Sequence, residues 1–387
     1  MIPVNEPLIG EKEIAYVNEC LRTGWISSAG RFIEAFEQKW ADYCGMKYGI
    51  AMSNGTTALQ AAIACLDLQP GDKIIMPTFT IISCAQAIVY NGGIPILVDS
   101  DPRTWCMDVK QVREKVKMEM SKSDGKITAI MPVHIYGHPV DMDPLLALAE
   151  EYDLKIIEDA AEVHGAEYLT GRNTAHPQWK KCGGIGHISV FSFYANKLIT
   201  TGEGGMVLTN DPDYAEKARS LRNLCFRPEQ RFLHTKLGHN FRITNLQAAI
   251  GLGQLERMDE IIAKKRWIGK AYTERLQSIS ALQLPVEETW ARQVYWMYGI
   301  VLDQRTGFDA VRFAQKLKEL GVDTRPFFLG MHEQPVFRDM GLFQNEKYPV
   351  SERIARQGLY LPSGLTLTET QIDEVCESVK AVLDEIQ

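Results

Sequence analysis

The sequence predicts an α/β protein: a large domain on a mostly parallel, seven-stranded sheet, followed by a smaller α/β domain. Three observations lead there. A chain of 387 residues is too long for one small core. Between about Lys47 and Asn210, seven short apolar runs alternate with helix-like stretches. After about residue 250 the pattern turns to longer helical segments around one clear strand. The expected division is therefore 1–250, with the N-terminal segment included, and 251–387.

The seven runs are "YGIAMS", "DKIIMP", "IPILVDS", "ITAIMPVH", "LKIIEDA", "ISVFSF" and "GMVLTN". Each is short, rich in Ile and Val, and bounded by Gly, Pro or Asp, as buried strands are. Stretches such as "TTALQAAIACLDL" and "DPLLALAEEYD" lie between them as helices. Such alternation implies crossover units and a sheet covered on both faces. Ligands of these sheets gather at the carboxyl ends of the strands, which directs attention to the residues that follow each run.

Residues 245–276, "NLQAAIGLGQLERMDEIIAKKRWIGKAYTERL", read as one long helix joining the two domains. The smaller domain takes the strand "YWMYGIVL", a helix near "FDAVRFAQKLKEL" and a C-terminal helix. In the last, Thr368 and Gln371 form a capping box, and Ile372, Val375, Cys376, Val379, Val382, Leu383 and Ile386 line one face. The segment 169–184, "LTGRNTAHPQWKKCGG", reads as an exposed loop without chemistry.

A net charge of −7 argues against a general nucleic-acid binder. No apolar stretch is long enough to span a bilayer, and the first residues carry no basic segment ahead of an apolar run. The eight cysteines form no CxxC, and several sit in apolar surroundings, so free buried thiols in a reducing, cytoplasmic setting are expected. No His, Cys, Asp and Glu cluster has metal-ligand spacing, and neither G-x-G-x-x-G nor a Walker-type loop occurs.

Three segments carry chemistry. "SNGTTAL" follows a strand and opens a helix, so the amides of Gly55, Thr56 and Thr57 would face an anion such as phosphate; ordinary N-capping explains the same residues. Asp159, in "IIEDAAEVHGA", stands at a strand's carboxyl end. A carboxylate there can keep a pyridine nitrogen protonated, as pyridoxal 5'-phosphate (PLP) requires of its partner, or can cap the next helix. Lys197 follows the strand "SVFSF" and precedes a glycine-rich turn. A desolvated lysine has a lowered pKa and can form a Schiff base, whereas most lysines are surface charges. Ser192 can donate to a phosphate or to backbone. Cradle, carboxylate and lysine come in the order expected of PLP enzymes related to aspartate aminotransferase, and together they weigh more than apart.

With these residues in place the chain resembles the sugar aminotransferases of the DegT/DnrJ/EryC1/StrS family over nearly its whole length. The resemblance rests on "TGWISSAG", "SNGTTAL", "PTFTIISCAQAI", "MPVHIYGHPVDMD", "EDAAEVHGA", "FSFYANKLITTGEGGM", "GHNFRITNLQAAIG" and "TRPFFLGMH". It implies a fold of the aspartate-aminotransferase type (fold type I) and PLP as cofactor. By the same resemblance Lys197 falls on the Schiff-base lysine and Asp159 on the partner of the pyridine nitrogen. Phe79 falls on a ring stacked on the cofactor, and Thr56, Thr57 and Ser192 on phosphate contacts. Asn240 falls on an asparagine that reaches the phosphate of a neighbouring subunit, which implies a homodimer with shared sites. Glu162 stands where many relatives have Gln beside the cofactor's phenolic oxygen, so a proton must be shared there. Trp25 and Ser27, in the N-terminal loop, and Arg325 and His332, in "TRPFFLGMH", are candidates for substrate contact. His134 and His187 read as structural, and His164 admits either reading.

The wording of "EDAAEVHGAEY", "NKLITTGEGGM" and "RPFF" is similar to members that aminate GDP-4-keto-6-deoxy-D-mannose to GDP-perosamine, which implies a role in surface polysaccharide (O-antigen) synthesis. In such members L-glutamate leaves its nitrogen on the cofactor, as pyridoxamine 5'-phosphate, and the keto sugar then takes it. Lys197 would move the protons. A 4-aminotransferase of a UDP- or dTDP-linked 4-keto-6-deoxyhexose is the nearest rival. Sugar dehydratases of the family replace the lysine by histidine, so Lys197 argues against that reading; a non-catalytic PLP-binding regulator is a further alternative, against which stand the intact catalytic set and the lack of an added DNA-binding segment or basic face.

Overall fold

Short β-branched runs buried on both faces form the central sheet. The computed structural model describes residues 1–122, 125–227 and 229–385. In chain order the strands are β1 (Tyr48–Met52), β2 (Lys73–Pro77), β3 (Ile94–Val98), β4 (Ile127–Ile130), β5 (Lys155–Asp159), β6 (Glu167–Thr170), β7 (Gln178–Lys181), β8 (Ile188–Ser192) and β9 (Gly205–Thr209). The seven-stranded sheet has the order β1-β9-β8-β5-β4-β2-β3. Its neighbours run parallel except where β9 meets β1 and β8. All seven expected strands are present. The run "ITAIMPVH" stops being a regular strand at Ile130. Pro132 has no amide to give the ladder, yet its carbonyl accepts from Asp159 N at 2.9 Å and so steers the chain toward the end of β5.

The helices are α1 (Glu11–Thr23), α2 (Arg31–Cys44), α3 (Gly55–Ala64), α4 (Ser83–Tyr90), α5 (Val109–Met120), α6 (Met142–Tyr152), α7 (Pro212–Arg222), α8 (Asn245–Leu255), α9 (Met258–Leu276), α10 (Ala310–Glu319), α11 (Pro335–Asp339), α12 (Pro349–Gln357) and α13 (Glu369–Asp384). The single helix expected over 245–276 is thus two, α8 and α9. Arg257 leaves helical geometry at φ −116°, ψ 15°. Beside it the Glu256 carboxylate accepts from Lys12 and Lys39, both at 2.9 Å, and from the Tyr16 hydroxyl at 3.0 Å. The break lets one carboxylate bind α1 and α2 to the core. In α8, a Cβ on Gly253 would meet Glu13 N at 3.0 Å, which is how closely α1 crosses it.

The remaining strands are β10 (Leu282–Gln283), β11 (Ala291–Arg292), β12 (Tyr298–Leu302), β13 (Arg325–Pro326) and β14 (Gly358–Leu361). Four of them form a sheet ordered β10-β12-β14-β13. Tyr272 of α9, Phe313 and Leu317 of α10, and Val375 and Val379 of α13 pack on it as a second core. The capping box of α13 forms as expected: Thr368 Oγ1 accepts from Gln371 N at 3.2 Å, and Gln371 Oε1 from Thr368 N at 3.0 Å. Its predicted face is buried from Ile372 to Leu383; Ile386 lies outside the described residues. Ile2 joins this second core and bridges to Val322.

The expected loop 169–184 is instead largely a hairpin. β6 pairs with β7, and β11 adds a third strand. All eight cysteines are buried and unpaired. Among the described residues no helix is long and apolar enough to cross a membrane.

Candidate functional site

Lys197 sits in the turn after β8, where its amide donates to Tyr194 O at 2.9 Å and Thr200 Oγ1 donates to Phe193 O at 2.9 Å. Its side chain is only 11 % exposed. Nζ lies 3.9 Å from Glu162 Oε1 and 3.8 Å from the centre of the Trp296 ring. Burial pulls the amine's pKa down, and the charges of Glu162 and Asp159 oppose it. Burial likewise pushes the Glu162 carboxyl up, against the pull of Lys197 and of the Tyr136 amide, which donates to Oε2 at 2.7 Å. Burial thus works against the charged form of each partner.

Asp159 ends β5 and is buried. Its Oδ2 accepts from the Cys84 thiol at 3.0 Å and its Oδ1 from Ala161 N at 3.1 Å. Burial holds that thiol well above the usual range, so it remains a donor. Among the described residues Asp159 forms no ion pair, so a buried anion is left facing whatever cationic group enters the site. A helix-cap role for Asp159 does not arise, because a turn rather than a helix follows it.

The expected anion cradle is at the first turn of α3. Asn54 caps it, taking the Thr57 amide at 2.9 Å, and Thr57 Oγ1 bonds back to Asn54 O and N at 2.8 and 3.2 Å. Thr57 thus serves the cap, and its amide does not point outward as expected. Among the described residues nothing accepts from the amides of Gly55 and Thr56, the usual state of a helix's first turn. Glycine is required at 55: an added Cβ would come within 2.8 Å of Ser192 Cβ. Thr56 Oγ1 meets Ser83 Oγ at 2.8 Å, and Ser192 Oγ receives only a long 3.4 Å bond from Tyr194 N. Three hydroxyls from three elements therefore gather around the α3 terminus.

Aromatic rings line the region near Lys197. Phe79 is enclosed by Tyr136, Phe327 and Phe328, with centroids 6.1, 5.8 and 5.9 Å away. Tyr136 stacks on Phe328 and Trp296. It holds a left-handed backbone, φ 52°, which aims its amide at Glu162.

The other candidates are less central. Arg325 is exposed, bonded to Asp323 at 2.7 Å, and its register partner Tyr360 packs on Tyr136 and Trp296. Trp25 and Ser27 are exposed in a loop whose carbonyls Asn245 holds, at 2.7 Å from Nδ2 to Trp25 O and 2.6 Å from its backbone amide to Ser27 O. His332 is 1 % exposed with both ring nitrogens engaged, Nδ1 by Thr78 at 2.8 Å and Nε2 by Glu352 at 3.2 Å. Contrary to expectation, no atom of its ring is free for a substrate. Asn240 is exposed and pairs by backbone with Asn223. His134 and His187 are structural, bonding Glu158 with Val140 N, and Ile156 N, respectively. His164 is buried against Trp40 and donates to Ser192 O at 2.8 Å. Trp296, Tyr136, Ser83 and Cys84 escaped the sequence reading. Among the described residues no group of three or more His, Cys, Asp or Glu is placed to hold a metal.

The profile of the DegT/DnrJ/EryC1/StrS aminotransferase family matches residues 7–380. A protein of Caulobacter vibrioides named GDP-perosamine synthase is 40 % identical over 383 residues, spanning 99 % of this chain and 98 % of its own. A protein of the same name from Escherichia coli O157:H7 is 38 % identical, over 98 % and 97 %. Among solved structures, the aminotransferase TlmJ from Streptoalloteichus hindustanus superposes with a TM-score of 0.89 at 27 % identity, over 100 % and 99 % of the two chains. NtdA from Bacillus subtilis, solved with bound cofactor PMP, gives 0.82 at 27 % identity, over 97 % and 83 %.

Proposed function

The chain belongs to the DegT/DnrJ/EryC1/StrS aminotransferase family, and from that premise we propose that it aminates C4 of GDP-4-keto-6-deoxy-D-mannose to give GDP-perosamine, with L-glutamate as donor. It is a PLP-dependent sugar aminotransferase. The observation that carries the chemistry is a buried amine, Lys197, gathered with the buried carboxylates Glu162 and Asp159 at the strand ends. The two relatives named for GDP-perosamine support the substrate.

The residues fit the cofactor. The unpaired buried Asp159 suits a protonated ring nitrogen, and the free first-turn amides of α3 with Thr56, Ser83 and Ser192 suit a phosphate. Phe79 is the ring proposed to stack on the cofactor. When bound, PLP supplies the electron sink that acidifies the donor's α-hydrogen. With it bound, Lys197 Nζ would be the base that takes this proton and the acid that gives it back, in one direction for glutamate and in the other for the sugar. Glu162, held by the Tyr136 amide, would be the residue that shares a proton with the cofactor's phenolic oxygen.

Exposed Asn240, Phe232, Leu237 and Trp25 support a homodimer in which Asn240 of the partner subunit completes the phosphate site. Light scattering should then give twice the chain mass. Trp25, Ser27 and Arg325 remain the proposed sugar-nucleotide side. Unpaired thiols throughout accord with a cytoplasmic enzyme, whose product would feed surface polysaccharide such as O-antigen.

The test is an absorbance titration. Glutamate should bleach the visible band of the PLP-loaded protein, and GDP-4-keto-6-deoxymannose alone among keto sugars should restore it. Restoration by a UDP or dTDP sugar instead would replace the nucleotide. Absence of a visible band after adding PLP would overturn the reading at Lys197.

A further inference from the structure

Trp296 belongs to the segment that leads into β12, in the part of the chain remote from Lys197, yet its ring centre lies 3.8 Å from the amine. It is 3 % exposed and anchored at several points. Nε1 donates to Asn196 O at 2.7 Å, the carbonyl just before Lys197. Its own carbonyl accepts from Lys265 Nζ at 2.6 Å, and the same nitrogen reaches Ser363 O at 2.5 Å. Tyr136 stacks on the ring at 6.0 Å and 29°. Gly137, at φ 106°, permits the approach, since a Cβ there would stand 2.6 Å from Trp296 N. The indole is held by the turn that carries Lys197 and holds its face toward Nζ at 3.8 Å.

A π face attracts an ammonium and not a neutral amine, the more so where water is excluded. The other groups that act on this amine are Glu162, Asp159, the Cys84 thiol and the buried His164 ring. Among the described residues Glu162 is the one carboxylate within 4.0 Å of it, and its second oxygen is already committed to the Tyr136 amide. We propose that the indole face of Trp296 is the seat of the Lys197 ammonium whenever that amine is not covalently engaged, making Trp296 the positioning residue that sets how firmly Lys197 holds its proton. This rests on Lys197 being the proton-moving amine of the proposed reaction.

The test reads Lys197 itself. The full chain, free of cofactor, is acylated with trace acetic anhydride across a pH series, and the Lys197 peptide is quantified by mass spectrometry. In Trp296→Leu the labelling midpoint should move to lower pH, with labelling at neutral pH up about five-fold; Trp296→Phe, which keeps a π face, should change it less than about two-fold. Because the leucine variant can fail to fold, a second series replaces all seven tryptophans biosynthetically with increasingly fluorinated analogues. These weaken the π face at nearly constant shape. Lys197 labelling should climb with each added fluorine. Equal labelling across the fluorinated series would overturn the inference, as would equal effects of Leu and Phe. PLP uptake by the unsubstituted protein is read in parallel. If the visible band never forms, the proposed function fails; if it forms and Lys197 ignores the ring, only this inference does.

Discussion

Lys197 owes its character to what surrounds it: burial favours the neutral amine, while Glu162, Asp159 and the Trp296 face favour the charged one. Lys197→Ala removes that amine and should lower turnover by at least about 10³-fold in a coupled glutamate assay, with the melting temperature little changed. Near-normal turnover would sink the assignment. Cys84 acts at one remove, through its bond to Asp159. Cys84→Ser keeps a donor and should bind PLP within about three-fold of the parent, whereas Cys84→Ala should weaken binding by roughly ten-fold, about what one hydrogen bond to a charged group contributes. Equal cofactor affinities for the two variants would show that the thiol does not orient the carboxylate. Lys197 and Asp159 were legible because each follows an apolar run, where strand ends deliver ligands; Glu162 came only through the family resemblance. Cys84 and Trp296 were not legible. One looked like another buried thiol and the other like strand core, and only contacts over 75 and 100 residues of chain give them a role.

At the scale of elements, the same contrast separates the central sheet from what surrounds it. Its strands announce themselves locally, by Ile and Val between Gly, Pro and Asp. The break between α8 and α9 does not, since apolar spacing continues through it. What interrupts the helix is Glu256 drawing in Lys12, Tyr16 and Lys39 from far upstream. The hairpin of β6 and β7 was equally hidden, because polar residues occupy it and its third strand, β11, arrives more than a hundred residues later. Asn245, the first residue of α8, shows how an element end can organise a loop. It accepts from Phe32 N at 3.0 Å and donates to Trp25 O, fixing the segment that leads into α2. Asn245→Ala leaves the buried Phe32 amide and the Trp25 carbonyl unmet and should cost about 2 kcal/mol, seen as a lower urea midpoint. An unchanged midpoint would mean that the loop finds other partners. For α13, Thr368→Ala removes the cap and should cost about 1 kcal/mol by the same measurement.

Across the whole molecule, Lys265 lies fully buried between α9, Trp296 and Ser363, and burial lowers its pKa to about 7 from the usual 10.5. Between those values the unfolded chain binds a proton that the folded chain does not. Stability attributable to this group therefore rises as pH climbs from about 7 toward 10.5 and levels off below about 7. Urea titrations at several pH values should show that rise in the parent and lose it in Lys265→Met, by up to roughly 1.4 kcal/mol per pH unit. Parallel curves would mean that the ammonium stays charged on its two carbonyls.

The bridge of Ile2 to Val322 has a consequence for synthesis. Ile2 N donates to Gly321 O at 2.8 Å, Ser363 N to Val4 O at 2.9 Å, and Thr366 Oγ1 to Glu6 Oε2 at 2.9 Å. A ribosome adding about 5–20 residues per second needs tens of seconds between making these partners. For that interval the first residues wait unpaired while the central sheet can already close. The core around β12 is then completed by residues made long before it.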